Sequence, residues 1–191
     1  MSHRLVVVGA GYAGLLAAKR LARKLRRSDV AITLVNASDR FVERVRLHQL
    51  AAGQRLAELS LRQQLRGTSV QLVVGRVTAI DTTCRTVCMD VAPRTIGYDT
   101  LVNAVGSRAR LDDVLPGAVE HAYAVAGSEQ ATRLRHRVAE LASDGTVAVV
   151  GGGLTGLETA SELAKSYPEL WVRLFTGAMH RDRPRAASEW L

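Results

Sequence analysis

The chain has 191 residues, 47% of them apolar, and a net charge of +8 carried almost wholly by arginine. This length allows one full domain and part of a second, and the apolar content is that of a packed fold rather than a disordered chain. A basic surface attracts polyanions, but the arginines are scattered and aromatic residues amount to only 4%, so no nucleic-acid partner is expected.

The apolar run 5–8 predicts a strand buried on both faces of a parallel sheet. Residues 9–14 turn the chain. Leu15, Leu16, Leu21, Ala22 and Leu25 then recur at helical spacing against Lys19, Arg20, Arg23 and Lys24. With a second strand over 31–35, the stretch 5–35 reads as one βαβ unit. The apolar start behind His3 and Arg4 resembles the front of a signal peptide, but three glycines at fixed spacing argue against one. No stretch reaches the roughly 18 apolar residues of a membrane span. A cytoplasmic protein is expected, with peripheral contact at the inner face of a membrane left open.

Residues 41–53 have no clear period and read as a loop leading into a helix, and 56–65 is expected to be helical. A strand follows over 70–77. Short β-prone pieces between 77 and 98 suggest a small antiparallel meander, and 101–105 is another strand. Cys84 and Cys88, the two cysteines, match neither a C-x-x-C redox turn nor a metal-ligand pattern. On one strand they would share a face, too far apart for an ordinary bridge. Two reduced structural thiols and no metal site are expected.

Between 108 and 126 the composition shifts to turn residues, which marks a candidate domain boundary. Ser128 is the expected N-cap of a helix with Ala131, Leu134, Val138 and Leu141 on one face. The strand 146–150, the glycines 151–153, a helix to about 166 and the strand 171–175 then repeat the opening pattern.

Both turns carry glycines for a physical reason. Gly9-Ala10-Gly11-Tyr12-Ala13-Gly14 supplies a tight turn, a close approach of backbone to a pyrophosphate, and close packing of helix on strand. The helix N-terminus then presents N–H groups and the positive end of its dipole to the phosphates. Gly151-Gly152-Gly153-Leu154-Thr155-Gly156-Leu157-Glu158 repeats the arrangement, and two such sets in one chain are far more specific than either alone.

With these motifs the sequence resembles the FAD/NAD(P)-binding pyridine nucleotide oxidoreductases, in the branch of the type II NADH dehydrogenases. The resemblance runs from about residue 4 to residue 176. It implies an α/β fold: a Rossmann-like FAD-binding domain, its parallel sheet joined by a small antiparallel meander, and the first βαβ unit of a second Rossmann domain. The implied limits are 1–110 for the flavin domain, 111–143 for a linker and helix, 144–176 for the start of the NAD(P)H domain, and 177–191 for an irregular tail. FAD would lie on Gly9, Gly11, Tyr12, Ala13 and Gly14, and NADH or NADPH on Gly151, Gly153, Leu154, Thr155 and Gly156. The segment 74–81, with Val77, looks like the strand that meets the FAD adenine. The segment 41–50, with Arg44 and His48, falls beside the flavin ring, and the strand ending in Gly106 is where the chain leaves the flavin domain.

Three departures qualify the resemblance. Asn36 stands where a ribose-binding acid is expected, although its amide can still accept from a hydroxyl. The redox cysteine pair of the disulfide reductases is missing, which favours direct transfer from flavin to a quinone-like or other small acceptor. The residues after Thr176 carry no recognisable element, so a truncated second domain, self-association and impaired turnover are expected. His48 is a candidate for polarising the flavin or assisting a quinone, or else a solvated or core side chain. Glu158 resembles the acid that approaches the nicotinamide, or is an acid favoured by the helix dipole. Thr176, with Arg181 and Arg183 nearby, leaves NADH and NADPH undistinguished. A non-catalytic nucleotide-binding fragment and a basic interaction module remain as alternatives to an enzyme.

Overall fold

The computed structural model describes residues 2–26, 29–109, 111, 116–141 and 144–177. In chain order its elements are β1 (His3–Val8), α1 (Tyr12–Lys24), β2 (Val30–Asn36), β3 (Arg40–Phe41), a 3-10 turn (Arg44–Arg46), α2 (Leu47–Ala51), β4 (Leu59–Ser60), α3 (Leu61–Gln64), β5 (Val70–Val74), β6 (Val77–Asp81), β7 (Thr86–Met89), β8 (Thr95–Gly97) and β9 (Thr100–Asn103). There follow α4 (Ala118–His121), α5 (Ser128–Ala139), β10 (Thr146–Val150), α6 (Leu154–Ser166) and β11 (Trp171–Phe175). The chain folds as two compact units: Met1–Glu43 with Ala57–Ser107, and Arg44–Leu56 with Arg108–Leu191.

The first unit is built on a parallel sheet of strand order β5-β2-β1-β9. Its central strand explains the unbroken apolar run of the sequence. Leu5 and Val7 point into a cluster with Ala18, Ala22, Ile32 and Leu34 under α1. Val6 and Val8 point the other way, into Val35, Val87, Met89 and Tyr98. Successive strand residues face opposite sides, so a strand covered on both sides must be apolar throughout. Each fully buried valine contributes about 1.5–3 kcal/mol. The second cover is the antiparallel meander β6-β7-β8, as expected from the sequence.

In the second unit, β10 and β11 pair in parallel with α6 packed against both, and α2 packs on α5 and α6. Compactness therefore groups the residues differently from the linear limits that the resemblance implies. Residues 44–56 belong with the later half, and polar contacts pin them there. Arg44 Nη2 donates to Ala126 O at 2.7 Å, and Gln54 Nε2 donates to Glu162 Oε1. Leu47, Ala51 and Ala52 are buried, as are Leu134, Val138 and Leu163 of α5 and α6. The outer faces of β10 and β11 alternate the other way, leaving Val150, Trp171 and Phe175 exposed.

Several local expectations are corrected. Residues 56–65 are not one helix: Leu59–Ser60 pairs with Arg40–Phe41, and only Leu61–Gln64 is helical, opened by the Ser60 hydroxyl accepting from Gln63 N. The cap of α5 is Gly127 with extended backbone and no side-chain bond, so Ser128 is already inside the helix. Cys84 lies in the turn before β7 and only Cys88 is on the strand; both thiols are free. The stretch 108–126 contains the short helix α4. Arg181 and Arg183 lie outside the described residues, and no described helix is long and apolar enough to cross a membrane.

A charged clamp ties β1 to the start of β9. Asp99 accepts from Arg4 N at 2.7 Å and from Arg4 Nη2 at 3.0 Å, while Asp99 N donates to Arg4 O. The Arg4 guanidinium, with help from its backbone N–H, holds the Asp99 carboxyl at about 2, below its ordinary 3.8. A lowered carboxyl pKa adds stability that is complete above the ordinary value and is lost as pH falls through the lowered one. Arg4→Ala should therefore raise the Asp99 pKa toward 3.8 and move the acid limb of stability to higher pH. Carboxyl titration by NMR, paired with acid unfolding of both proteins, measures this.

Candidate functional site

The two glycine turns share one backbone construction. Val8 pairs with Val35 and Gly9 N donates to Val35 O at 2.8 Å; Val150 pairs with Phe175 and Gly151 N donates to Phe175 O at 2.9 Å. Gly9 and Gly151 have φ of +94° and +126°, a backbone that L side chains rarely adopt. Gly11 and Gly153 are the extended N-caps of two 13-residue helices. The first helical bonds, Leu15 N to Gly11 O and Leu157 N to Gly153 O, measure 3.0 and 3.1 Å.

The third glycine of each set is where helix meets strand. A Cβ on Gly14 would collide with the carbonyl of Gly9, and one on Gly156 with the carbonyl of Gly151. The second glycine of each set is the opposite case: a Cβ on Gly11 or Gly153 would meet nothing within 4 Å. That open space lies before a helix start whose first N–H groups have no helical carbonyl to bond, and neither helix has an acid in its first turn. The uncompensated dipole end and the bare backbone fit a pyrophosphate at both places. Tyr12, the first residue of α1, packs edge-on against Phe41 with ring centroids 5.0 Å apart.

Asn36 ends β2 beside the first turn. Its Oδ1 accepts from Ala10 N at 3.0 Å and its Nδ2 donates to Ser38 O at 2.9 Å, so the residue expected to read a ribose also braces the loop. Ala104, which sequence reasoning did not single out, backs the same turn: its carbonyl is what a Cβ on Gly9 would strike, and its methyl lies 3.1 Å from one on Gly14. The signal was present as a small residue just after the strand β9. Gly106 follows with φ +73°, and Val77 opens β6 against the apolar cluster of the meander.

The structure brings together two candidates that lie 110 residues apart. His48 on α2 places Nδ1 3.7 Å from Glu158 Oε2 on α6, with the His48 side chain mostly buried. The pairing follows from the packing of α2 on α6. Arg44, on the same segment, is held by Ala126 O. Among the described residues no group of His, Cys, Asp and Glu could hold a metal ion. Cys84 sits on the Asp81 side chain, which accepts its backbone N–H and pushes its thiol up.

Two βαβ units each opened by a glycine turn, the first in a four-stranded parallel sheet covered by an antiparallel meander and the second on its own parallel strand pair, define a protein of the two-dinucleotide Rossmann class. The chain belongs to the pyridine nucleotide-disulphide oxidoreductase family, whose match spans residues 3–189. Its relatives are of the NADH dehydrogenase-like branch. It is 30% identical to the NADH dehydrogenase-like protein YutJ of Bacillus subtilis, over 90% of this chain and 48% of that protein. It is 31% identical to the type II NADH:quinone oxidoreductase NdhA of Mycobacterium tuberculosis, over 95% of this chain and 41% of that one. The chain thus spans less than half the length of these relatives. The sulfide:quinone oxidoreductase of Aquifex aeolicus shares the fold with a TM-score of 0.75 at 23% identity, over 92% of this chain and 43% of that one.

The contrast between glycines is testable. Gly14→Ala and Gly156→Ala force a methyl into a carbonyl and should cost roughly 2 kcal/mol or more. Gly11→Ala and Gly153→Ala add a methyl in open space at an allowed φ, and thermal melts should stay near the parent. Equal melting temperatures for all four variants would contradict the packing described.

Proposed function

We propose that this chain is the nucleotide-binding part of a flavin-dependent NAD(P)H oxidoreductase, with FAD on the first glycine turn and NADH or NADPH on the second. The observation that carries the reading is the duplicated turn, each copy with one glycine packed tight and one left bare before a helix N-terminus. The names of its relatives, NADH dehydrogenase-like protein and NADH:quinone oxidoreductase, support a quinone-like acceptor. The lack of a redox cysteine pair soon after the second strand supports direct transfer to that acceptor without a thiol relay.

When bound, the flavin supplies the hydride and electron chemistry, and the protein supplies position and electrostatics. The N–H groups opening α1 and α6 hold the diphosphates, and the backbone at Gly11 and Gly153 admits their approach. Asn36 keeps the first loop in shape through Ala10 N while lying where a ribose hydroxyl would reach it. Glu158 is the candidate acid near the nicotinamide, and the mostly buried His48 stands beside its carboxylate, Nδ1 to Oε2 at 3.7 Å. Val77 and Gly106 flank the flavin nucleotide in this reading, and Arg44 anchors the segment that bears His48.

Purified protein should carry a flavin absorbance band that NADH bleaches without oxygen. Gly11→Val should lose the band, whereas Gly153→Val should keep it and lose the bleaching. Flavin content unchanged in Gly11→Val defeats the assignment of the first turn. Glu158→Gln should leave flavin binding intact and slow turnover with a soluble quinone about a hundredfold, the size of a lost acid–base group; unchanged turnover removes Glu158 from the reaction.

A further inference from the structure

The internal repeat makes a comparison that neither unit allows alone. Hydrogen bonding and strand register place Val35 and Phe175 at equivalent positions, each bonded through its carbonyl to the first glycine of its turn. The next residues, Asn36 and Thr176, are therefore equivalents at the end of the second strand. In a dinucleotide fold this is the position that reads the adenine ribose, where an Asp or Glu accepts from the 2′-hydroxyl. A carboxylate there also repels a 2′-phosphate, and that repulsion excludes the phosphorylated coenzyme.

Thr176 carries no charge. Its Cγ2 and Cβ lie 2.8 and 2.9 Å from where a Cβ on Gly152 would stand, so the side chain rests its methyl against the loop. Gly152 is the counterpart of Ala10, whose N–H is taken up by Asn36 Oδ1 in the first unit. The glycine is what admits Thr176 so close. It is the methyl and Cβ, not the hydroxyl, that stand nearest the loop at Gly152, and a threonine hydroxyl can donate to a phosphate oxygen or pair with a ribose hydroxyl. No acid occurs from Gly151 to Leu157, and the first one on α6, Glu158, faces His48.

We infer that Thr176 makes the second nucleotide site permissive at the 2′ position, so that it takes NADPH as readily as NADH. The inference rests on the reading of the second glycine turn as a nicotinamide-nucleotide site, and concerns which of the two coenzymes that site admits. The discriminating element of an NADH-selective site is a repulsive carboxylate, and this strand end lacks it.

The test is calorimetric titration of the full 191-residue chain, saturated with FAD, with NAD⁺ and NADP⁺ as unreactive probes, in the parent and in Thr176→Asp. The parent should bind the two within about fivefold of each other, since among the described residues no carboxylate stands at this strand end to oppose a 2′-phosphate. Thr176→Asp should weaken NADP⁺ by about tenfold or more while NAD⁺ holds or tightens, the signature of like-charge opposition. Competition by 2′,5′-ADP and 5′-ADP in the parent gives the same comparison without relying on the variant. A parent that binds NAD⁺ more than tenfold tighter than NADP⁺, with 2′,5′-ADP correspondingly weak, overturns the inference while leaving the nucleotide site intact. No binding of either probe, or binding that persists in Gly153→Val, overturns the underlying reading of the second turn as well.

Discussion

Everything in this chain that bears on function depends on how closely a helix can approach the strand before it. At Gly14 and Gly156 the approach is so close that the preceding glycine carbonyl occupies the volume of a Cβ. Only with that contact does the helix N-terminus stand directly over the strand end, and only then do its unpaired N–H groups converge on one point. The open space at Gly11 and Gly153 is the geometric consequence: the backbone pulled tight at one residue is laid bare three residues earlier. A side chain at the tight position would tilt the helix away, and the geometry that fits an anion would be lost with it.

The scaffold around the first turn serves to keep this contact under load. β1 has neighbours on both edges and covers on both faces, so its end cannot shift without disturbing α1, β2, β9 and the meander together. Close-packed interiors transmit such strain rather than absorb it. The Arg4–Asp99 clamp holds the far end of the same strand in register with β9, whose continuation, Ala104, backs the turn. The second turn has the same local geometry on a smaller base: two paired strands and one helix, supported by α2 and α5. The outer faces of those strands, with Val150, Trp171 and Phe175, remain exposed.

The passage of residues 44–56 into the second unit gives that unit a discontinuous sequence. It also sets His48 against Glu158. A segment that follows the first βαβ unit in the chain thereby furnishes a side chain to the helix of the second. Glu158 lies one turn into α6, beyond the first turn that carries no acid, and the mostly buried His48 side chain stands beside its carboxylate.

The sequence by itself determined the two turns and the strands feeding them. Glycine spacing, an unbroken apolar run and a 3.6-residue helical period are local signals, each readable within a dozen residues, and each has a steric cause that operates wherever the chain is placed. The meander was legible for the same reason. What only the tertiary structure decided are matters of partnership. Nothing within 56–65 says that Leu59–Ser60 will pair with Arg40–Phe41 rather than extend a helix, because an edge strand of two residues is chosen by its neighbour. Nothing in 44–56 says that it packs with α5 and α6, because short amphipathic helices carry an apolar face but no address. The position expected to read a ribose could be counted out from the glycines, but that Thr176 rests its methyl on Gly152 while Asn36 binds Ala10 N became visible only once strand register made the two strand ends equivalent. Local sterics act over a few bonds and are written in adjacent residues, whereas packing selects among distant surfaces and is written only in the folded chain.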